Sequence, residues 1–232
     1  MAVYSIIKKS QLEGAKRLDA EYYQPEYLSV VNKIKNSKFD FVSNFLSRSV
    51  VTGTTPKKRD CLCDGTDIKF IKTDTLREGR IVFDEADCLP VKESRKNSEL
   101  KSGDIIITII GATHDIVGRV ARVFPNDPKM NINQNVVLLR PKEHSFSSYL
   151  SIFLQTKYGR DQLWQQSKQT EQVNLSCREV EKMLVPVPND GFAKEIDNLV
   201  VTSYNLLGES KKIYSQAENL LLEKLGLKNF ES

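Results

Sequence analysis

The sequence predicts an α+β fold: a β-rich body with flanking helices, followed by a long C-terminal helix of the coiled-coil type. Three observations predict it. Between Phe39 and Arg140, short β-branched runs are broken by Gly, Asp and Asn, the pattern of strands in a twisted sheet or barrel. On either side, apolar residues recur at helical spacing. Beyond Leu184-Val-Pro-Val-Pro188, a seven-residue apolar repeat runs almost to the C-terminus. The boundary falls at that Pro-rich segment, because each Pro disfavours helix before it. The chain therefore divides into a body, residues 1–188, and a helix, residues 189–232.

Each element has its own justification. Tyr22-Tyr23-Gln24-Pro25-Glu26 suits a turn with Pro near a helix start, and Tyr27, Val30, Val31 and Ile34 follow at helical spacing. Strands are expected at Ile68–Ile71, Arg80–Phe83, Asp104–Ile110, Ile116–Val123 and Val136–Leu139. Ser102-Gly103-Asp104 makes the turn into the most apolar strand, and Gly111 and Gly118 bracket the loop after it. Helical spacing returns from Ser147 to Gln166 through Tyr149, Leu150, Phe153, Leu154, Tyr158, Leu163 and Trp164. An amide-rich stretch, Gln165 to Asn174, leads to the Pro-rich boundary.

The last helix, Phe192 to Leu225, would be roughly 50 Å long at 1.5 Å per residue. Leu199, Leu206, Ile213 and Leu220 recur at every seventh position, beside a companion stripe of Ile196, Ser203, Ser210 and Ala217. A seven-residue repeat held this long implies packing against another helix, with small residues allowing close approach. The dimerisation candidates are Ile196, Leu199, Leu206, Ile213, Ala217 and Leu220. A helix lying on its own body is the plain alternative.

Composition narrows the class. With 232 residues, 40% hydrophobic and 28% charged, the chain can bury a sizeable core. It is not a disordered tail or a disulfide miniprotein. No apolar run approaches the 18 or so residues that span a bilayer. The first twelve residues lack a secretory apolar region. Cys61, Cys63, Cys88 and Cys177 are accordingly read as reduced thiols, and the cytoplasm as the compartment. Net charge is +4. From Ala193 onward the balance is −1, so the body carries +5. A mildly basic body with a neutral helix suits nucleic-acid contact by one and protein contact by the other, and equally suits a soluble enzyme.

Motifs of catalysis are weak. There is no G-x-x-x-x-G-K-[ST] or G-x-G-x-x-G loop. Cys61-Leu-Cys63 with Cys88 and His114 matches structural zinc spacing poorly. His114 beside Asp115, and His144, have no nucleophile with a recognisable local signature. A metal-dependent nuclease is the best enzyme rival, with Asp84 or Asp87 upstream of Glu99-Leu-Lys101. No catalytic or metal-binding residue is assigned.

Loops suited to nucleic acid are better represented. Thr52-Gly-Thr-Thr-Pro-Lys-Lys-Arg59 offers hydroxyls and cations to phosphate oxygens; its candidates are Thr54, Thr55, Lys57, Lys58 and Arg59. Lys72, Thr73 and Arg77 follow. Thr113 and His114 stand in the loop after the apolar strand. Asn133 and Gln134 carry amides that can pair with adenine edges, and Lys168, Gln169 and Thr170 add a further group. A solvated, turn-rich surface is the competing explanation for any one of these loops.

Taken in order, these segments resemble the specificity subunit of type I restriction–modification systems, in particular one target recognition domain and one conserved helix. The matching pieces are Arg17-Leu-Asp-Ala-Glu-Tyr-Tyr23, Gly53-Thr-Thr-Pro56, Ile68-Lys-Phe-Ile-Lys-Thr-Asp74 and Gly79-Arg-Ile81. Leu100-Lys-Ser-Gly-Asp-Ile-Ile-Ile-Thr108 with Gly111, Ile116-Val-Gly118, Asn133-Gln-Asn-Val136, the Pro-rich segment and the helix ending Leu225-Gly-Leu227 complete the set. The family's usual subunit carries two recognition domains and two helices, so this chain looks like half of one. Asn189-Asp-Gly-Phe-Ala-Lys194 stands where the family tends to place a Gln.

The resemblance implies that the body reads a half-site of double-stranded DNA, through the major groove. It implies a two-fold homodimer through the helix, reading two half-sites across a spacer. It further implies docking of the methyltransferase (modification) subunit and, through the complex, the restriction subunit. S-adenosylmethionine, ATP and Mg²⁺ would belong to those partners, with no cofactor in this chain. Neither an Asn-Pro-Pro-aromatic nor an Asp-Pro-Pro-Tyr motif occurs, so methylation would be the partner's work. A self-sufficient nuclease and a coiled-coil adaptor without DNA readout are the rival functions.

Overall fold

The computed structural model describes residues 4–15, 17–56, 68–77, 79–113, 115–168 and 173–227. The helices α1 (Lys9–Ala15) and α2 (Pro25–Lys35) come first. Then follow β1 (Phe39–Phe41), the short α3 (Val42–Phe45), β2 (Val51–Thr52) and β3 (Ile68–Ile71). A hairpin of β4 (Leu76–Arg77) and β5 (Arg80–Ile81) precedes β6 (Asp87–Leu89). The most apolar strand is β7 (Ile105–Thr108), followed by β8 (Ile110–Gly111) and β9 (Val120–Arg122). Next come β10 (Met130–Ile132), β11 (Val136–Leu139), α4 (His144–Gln155) and α5 (Lys157–Gln166). The chain ends with β12 (Val173–Asn174), α6 (Cys177–Glu181), β13 (Leu184–Pro186) and α7 (Asp190–Lys224).

A four-stranded antiparallel sheet in the order β2-β11-β7-β9 forms the middle layer. Both β7 and β11 are buried at every position. Successive side chains on a strand point to opposite faces, so this run feeds two cores at once. Ile105, Ile107, Val137 and Leu139 meet Val30, Ile34, Leu150, Leu154 and Leu163 of the helices. Ile106, Val136 and Leu138 meet Ile71, Met130 and Ile132 of a second sheet. That sheet has the order β10-β3-β6, with β10 parallel and β6 antiparallel to β3. The layers are thus helices, sheet, sheet. Each fully buried Ile or Leu contributes about 1.5–3 kcal/mol.

Polar ties fix the ends of these layers. Asp104, next after the turn at Gly103, accepts from Arg140 Nε at 2.7 Å and Nη2 at 2.6 Å, and from the Lys101 amide at 2.7 Å. The hydrogen bond that Arg140 donates to Asp104 raises the Arg140 pKa above its ordinary value. At the N-terminal end, Arg17 pairs with Asp19, donates to the Gln166 and Ser167 carbonyls, and lies over the Tyr22 ring. Tyr23 donates to the Arg17 carbonyl at 2.9 Å. The Arg17–Tyr23 motif is therefore a clasp on the end of α5.

Several sequence expectations are refined. The helix expected from Ser147 to Gln166 is two helices, because Thr156 lies outside helical backbone and caps α5, accepting from the Gly159 amide. Only Arg80–Ile81 of the expected Arg80–Phe83 strand pairs as a strand, and Phe83–Glu85 turns as a 3-10 segment. Asp115 to Gly118 likewise forms a turn before β9, with Arg119 N–H on the Ile116 carbonyl at 3.4 Å. The free-thiol expectation fails for Cys88, which is disulfide-bonded: sequence spacing does not report which Cβ atoms come within bonding range. Cys177 is free and half-buried, and burial pushes its thiol pKa up.

The final helix, α7, runs 35 residues. Asn189 caps it by accepting from the Phe192 amide at 2.8 Å. Its first half lies on the body. Ala193 is buried, Asp197 accepts from Ser148 and faces Arg122 Nη2 at 3.3 Å, and Tyr204 stacks on Phe124 at 3.8 Å. From Gly208 to Lys224 every residue except Leu222 is exposed. Among the described residues, no helix is long and apolar enough to cross a membrane.

Candidate nucleic-acid interface

Strand direction gathers several loops at one end of the sheets. The antiparallel register of β2 and β7 against β11 puts the exits of β2 and β7 beside the start of β11. Parallel pairing of β3 with β10 puts their exits side by side. The segments beyond Thr52, Ile71, Thr108 and Ile132 thus converge. Backbone bonds stitch them: Asn133 N–H to the Ile71 carbonyl at 3.0 Å, and Ile109 N–H to the Asn135 carbonyl at 2.9 Å. Gly53 is where the β2 exit crosses the β10–β11 turn. A Cβ there would fall 1.7 Å from the Ile132 carbonyl oxygen, so only glycine allows the crossing.

The result is a polar cleft of about 240 Å³, lined by Thr55, Phe70, Lys72, Thr73, Asp74, Asp87 and Asn133 to Asn135. Thr55 donates to the Gln134 side-chain oxygen. Gln134 is exposed, and among the described residues its amide nitrogen donates no hydrogen bond. Asn133 is buried, its side-chain oxygen accepting from the Asn135 amide at 3.0 Å. It shapes the turn that presents Gln134. Asn131, two residues earlier in the same sequence run, is wholly structural, donating to Ser94 and to the Arg95 carbonyl.

Charge in the cleft is acidic rather than basic, with one lysine against two carboxylates. Lys72 Nζ lies 3.0 Å from Asp87 and 3.5 Å from Asp74. The hydrogen bond to Asp87 raises the Lys72 pKa above its ordinary value. A lysine held between two carboxylates is a fixed donor, not a free phosphate clamp. The carboxylates in turn can accept from exocyclic amino groups, as Thr55, Thr73 and Gln134 can accept or donate along a base edge.

Five of the sequence candidates, Thr55, Lys72, Thr73, Asn133 and Gln134, line the cleft. Thr54 adjoins it, its N–H bonding the Ile132 carbonyl at 3.3 Å. Arg77 is elsewhere, paired with Glu85 at 2.7 Å. Thr113 lies beyond β8, which pairs with β12, and Lys168 bridges Asn174 of β12. Lys57, Lys58, Arg59, His114, Gln169 and Thr170, together with Cys61 and Cys63, lie outside the described residues. Sequence reasoning did not place Phe70 or Asp87 here. They meet because Phe70 and Asp87 are register partners across β3 and β6. As for the nuclease ligands, Asp87 is engaged by Lys72. Among the described residues, no group of three or more His, Cys, Asp or Glu side chains is placed to hold a metal ion.

The dimerisation candidates sit on the free side of α7. Leu199, Leu206, Ile213 and Leu220 are each 57–62% exposed, Ile196 is half-buried and Ala217 exposed. At 3.6 residues per turn, this stripe lies opposite Ala193, Asp197 and Tyr204, which face the body.

Residues 46–199 match the family model for the type I restriction modification DNA specificity domain. No curated protein matches the chain. A solved S subunit of a type I restriction-modification system from M. genitalium aligns with 79% of this chain and 44% of its own length, at 11% identity and a TM-score of 0.53. The type IIG restriction endonuclease BpuSI aligns over 84% of this chain and 30% of its own, at 8% identity and a TM-score of 0.56. These two share the fold. A structure of complex assembly and conformational transition in a type I R-M system covers 93% of this chain and 55% of that one, at 13% identity and a TM-score of 0.48. The chain thus spans about half the length of the type I structures it matches. With the family model covering well over half of its residues, the chain belongs to the type I restriction-modification DNA specificity family.

Proposed function

We propose that the body reads one half-site of double-stranded DNA through the loops at the cleft, and that α7 pairs with the α7 of a second copy to set two half-sites apart. The observation that carries this reading is the convergence of the β2, β3, β7 and β10 exits on a cleft of hydroxyl and amide groups, with Gln134 exposed and its amide nitrogen unused among the described residues. Family membership supports docking of a methyltransferase subunit and, through the complex, a restriction subunit. S-adenosylmethionine, ATP and Mg²⁺ belong on this reading to those partners, and the complex works in the cytoplasm beside its DNA. The chain itself is the non-catalytic reader, and residues 1–188 and 189–232 divide the two tasks.

Selection from a random duplex library tests the reading, using the chain together with its co-purified methyltransferase subunit. The wild type should enrich one short motif. Gln134→Ala should relax preference at one position by about 10–100-fold, matching the 1–3 kcal/mol of a base-edge contact. Equal loss on every sequence would remove Gln134 from the reading set, and no enrichment by the wild type would overturn the proposal.

A further inference from the structure

A second cavity, of about 610 Å³, opens where α7 meets the body, away from the reading cleft. That size falls within the range of small-molecule sites, about 300–1,000 Å³. Its apolar surface comes from Ile81, Val82 and Phe83 at the end of the β4–β5 hairpin and from Leu207 of α7. Arg77, Arg80, Arg122 and Lys211 line it beside one lining carboxylate, Asp127. Glu85 offsets Arg77 at 2.7 Å, Asp197 faces Arg122 at 3.3 Å, and Arg80 also has a partner. Asp127 is already engaged, accepting from Tyr204 at 2.6 Å and from the Phe124 amide at 2.7 Å.

Two features mark the cavity as unfinished. The Arg122 side chain is 4% exposed; its Nε donates to Ser147 and its Nη2 faces Asp197 and His144, but among the described residues its buried Nη1 has no hydrogen-bond partner. Buried donors are nearly always matched. Gly208 interrupts a 35-residue helix, where glycine is unfavourable. A Cβ at Gly208 would meet nothing within 4 Å, so no packing among the described residues requires it. Its effect is to widen the cavity. The occupant is not a second α7, because Tyr204, Gly208 and Lys211 lie on the face opposite the Leu206 stripe.

We propose that this cavity binds a small amphipathic anion. Its flat apolar ring would rest on Ile81, Phe83 and Leu207, and its sulfonate, phosphate or carboxylate would face Arg122 and Lys211. Since both the body and α7 form the walls, occupancy also ties the helix to the body.

The test titrates the full chain with 8-anilinonaphthalene-1-sulfonate, read by fluorescence and by thermal shift. One saturable site per chain is expected, with a rise in Tm. Gly208→Leu fills the cavity while favouring helix, and Lys211→Glu reverses an exposed charge; each should weaken binding at least tenfold. The uncharged parent, 1-anilinonaphthalene, should bind at least tenfold more weakly. The double variant Leu206→Asp/Leu220→Asp should bind the sulfonate as the wild type does. Absence of a saturable site, affinities within twofold of wild type in both cavity variants, equal binding of the uncharged dye, or loss of binding in the stripe variant would each overturn the proposal.

Discussion

Charging the stripe of α7 offers a direct perturbation of pairing. Leu206 and Leu220 are 59% and 57% exposed in the single chain. Complete burial of a Leu side chain contributes about 1.5–3 kcal/mol, so covering the remaining half contributes about 1 kcal/mol or slightly more. A two-fold pair contains four such leucines, giving about 4–6 kcal/mol for these positions. Leu206→Asp with Leu220→Asp removes that contribution and places four carboxylates in the interface. The dissociation constant should rise by at least about 10³-fold, since each 1.4 kcal/mol is a factor of ten. Sedimentation equilibrium near 10 μM, an order-of-magnitude working concentration for such a pair, should show a dimer for the wild type and a monomer for the variant. The melting curve of the body should stay unchanged, because the contacts of Ala193, Asp197 and Tyr204 lie on the other side of the helix. A wild type that is monomeric at this concentration, or a variant of unchanged mass, would refute the reasoning.

Other perturbations probe the body. Asp104→Ala leaves Arg140 without its carboxylate and the Lys101 amide without its acceptor; a loss of about 3–5 kcal/mol is expected, and a urea midpoint implying under about 1 kcal/mol would contradict it. The Arg17 guanidinium beside Asp19 holds that carboxyl below its ordinary value, chiefly through their hydrogen bond. A depressed folded-state pKa contributes stability above the unfolded value of about 3.9, lost as pH falls through the folded value. Asp19→Asn should therefore flatten the fall in Tm below about pH 4, and parallel acid limbs would count against the clasp. Gly53→Ala must push the β2 exit away from the Ile132 carbonyl; about 1–3 kcal/mol of destabilisation should accompany a loss of DNA selection, and wild-type selection would show that the crossing is dispensable.

Legibility in the sequence tracks the range of the interactions. The strands β7 and β11 and the helices α2 and α7 are readable because periodicity and β-branched runs are local signals. Even the start of α2 is marked, by Pro25 in the first turn. The break at Thr156 is not, since a threonine inside an apolar period looks like any helical residue until its hydroxyl is seen capping Gly159. Thr55, Lys72, Thr73, Asn133 and Gln134 can be singled out by residue type, but their meeting depends on the parallel pairing of β3 with β10. The balancing of Lys72 by Asp87 depends on the register of β3 against β6. No window along the chain carries either fact. Arg17-to-Tyr23 is recognisable as a motif, yet its clasp on α5 spans some 150 positions.

The double-sided burial of β7 and β11 has a consequence for how such a protein can change. The cores they join are filled by side chains of the strands and helices, whereas the hydroxyl and amide groups of the cleft come from the segments beyond the strand ends. Thr55, Thr73 and Gln134 belong to neither core cluster. Exchanging them leaves the packed interior untouched, and surface substitutions of that kind usually shift stability by no more than about 0.5 kcal/mol. Gly53 and Asn133 are different, since they hold the loops in place. On the proposed reading, the scaffold offers a rigid frame with a few interchangeable letters, so that new targets would be reachable by single steps that never pass through an unfolded intermediate.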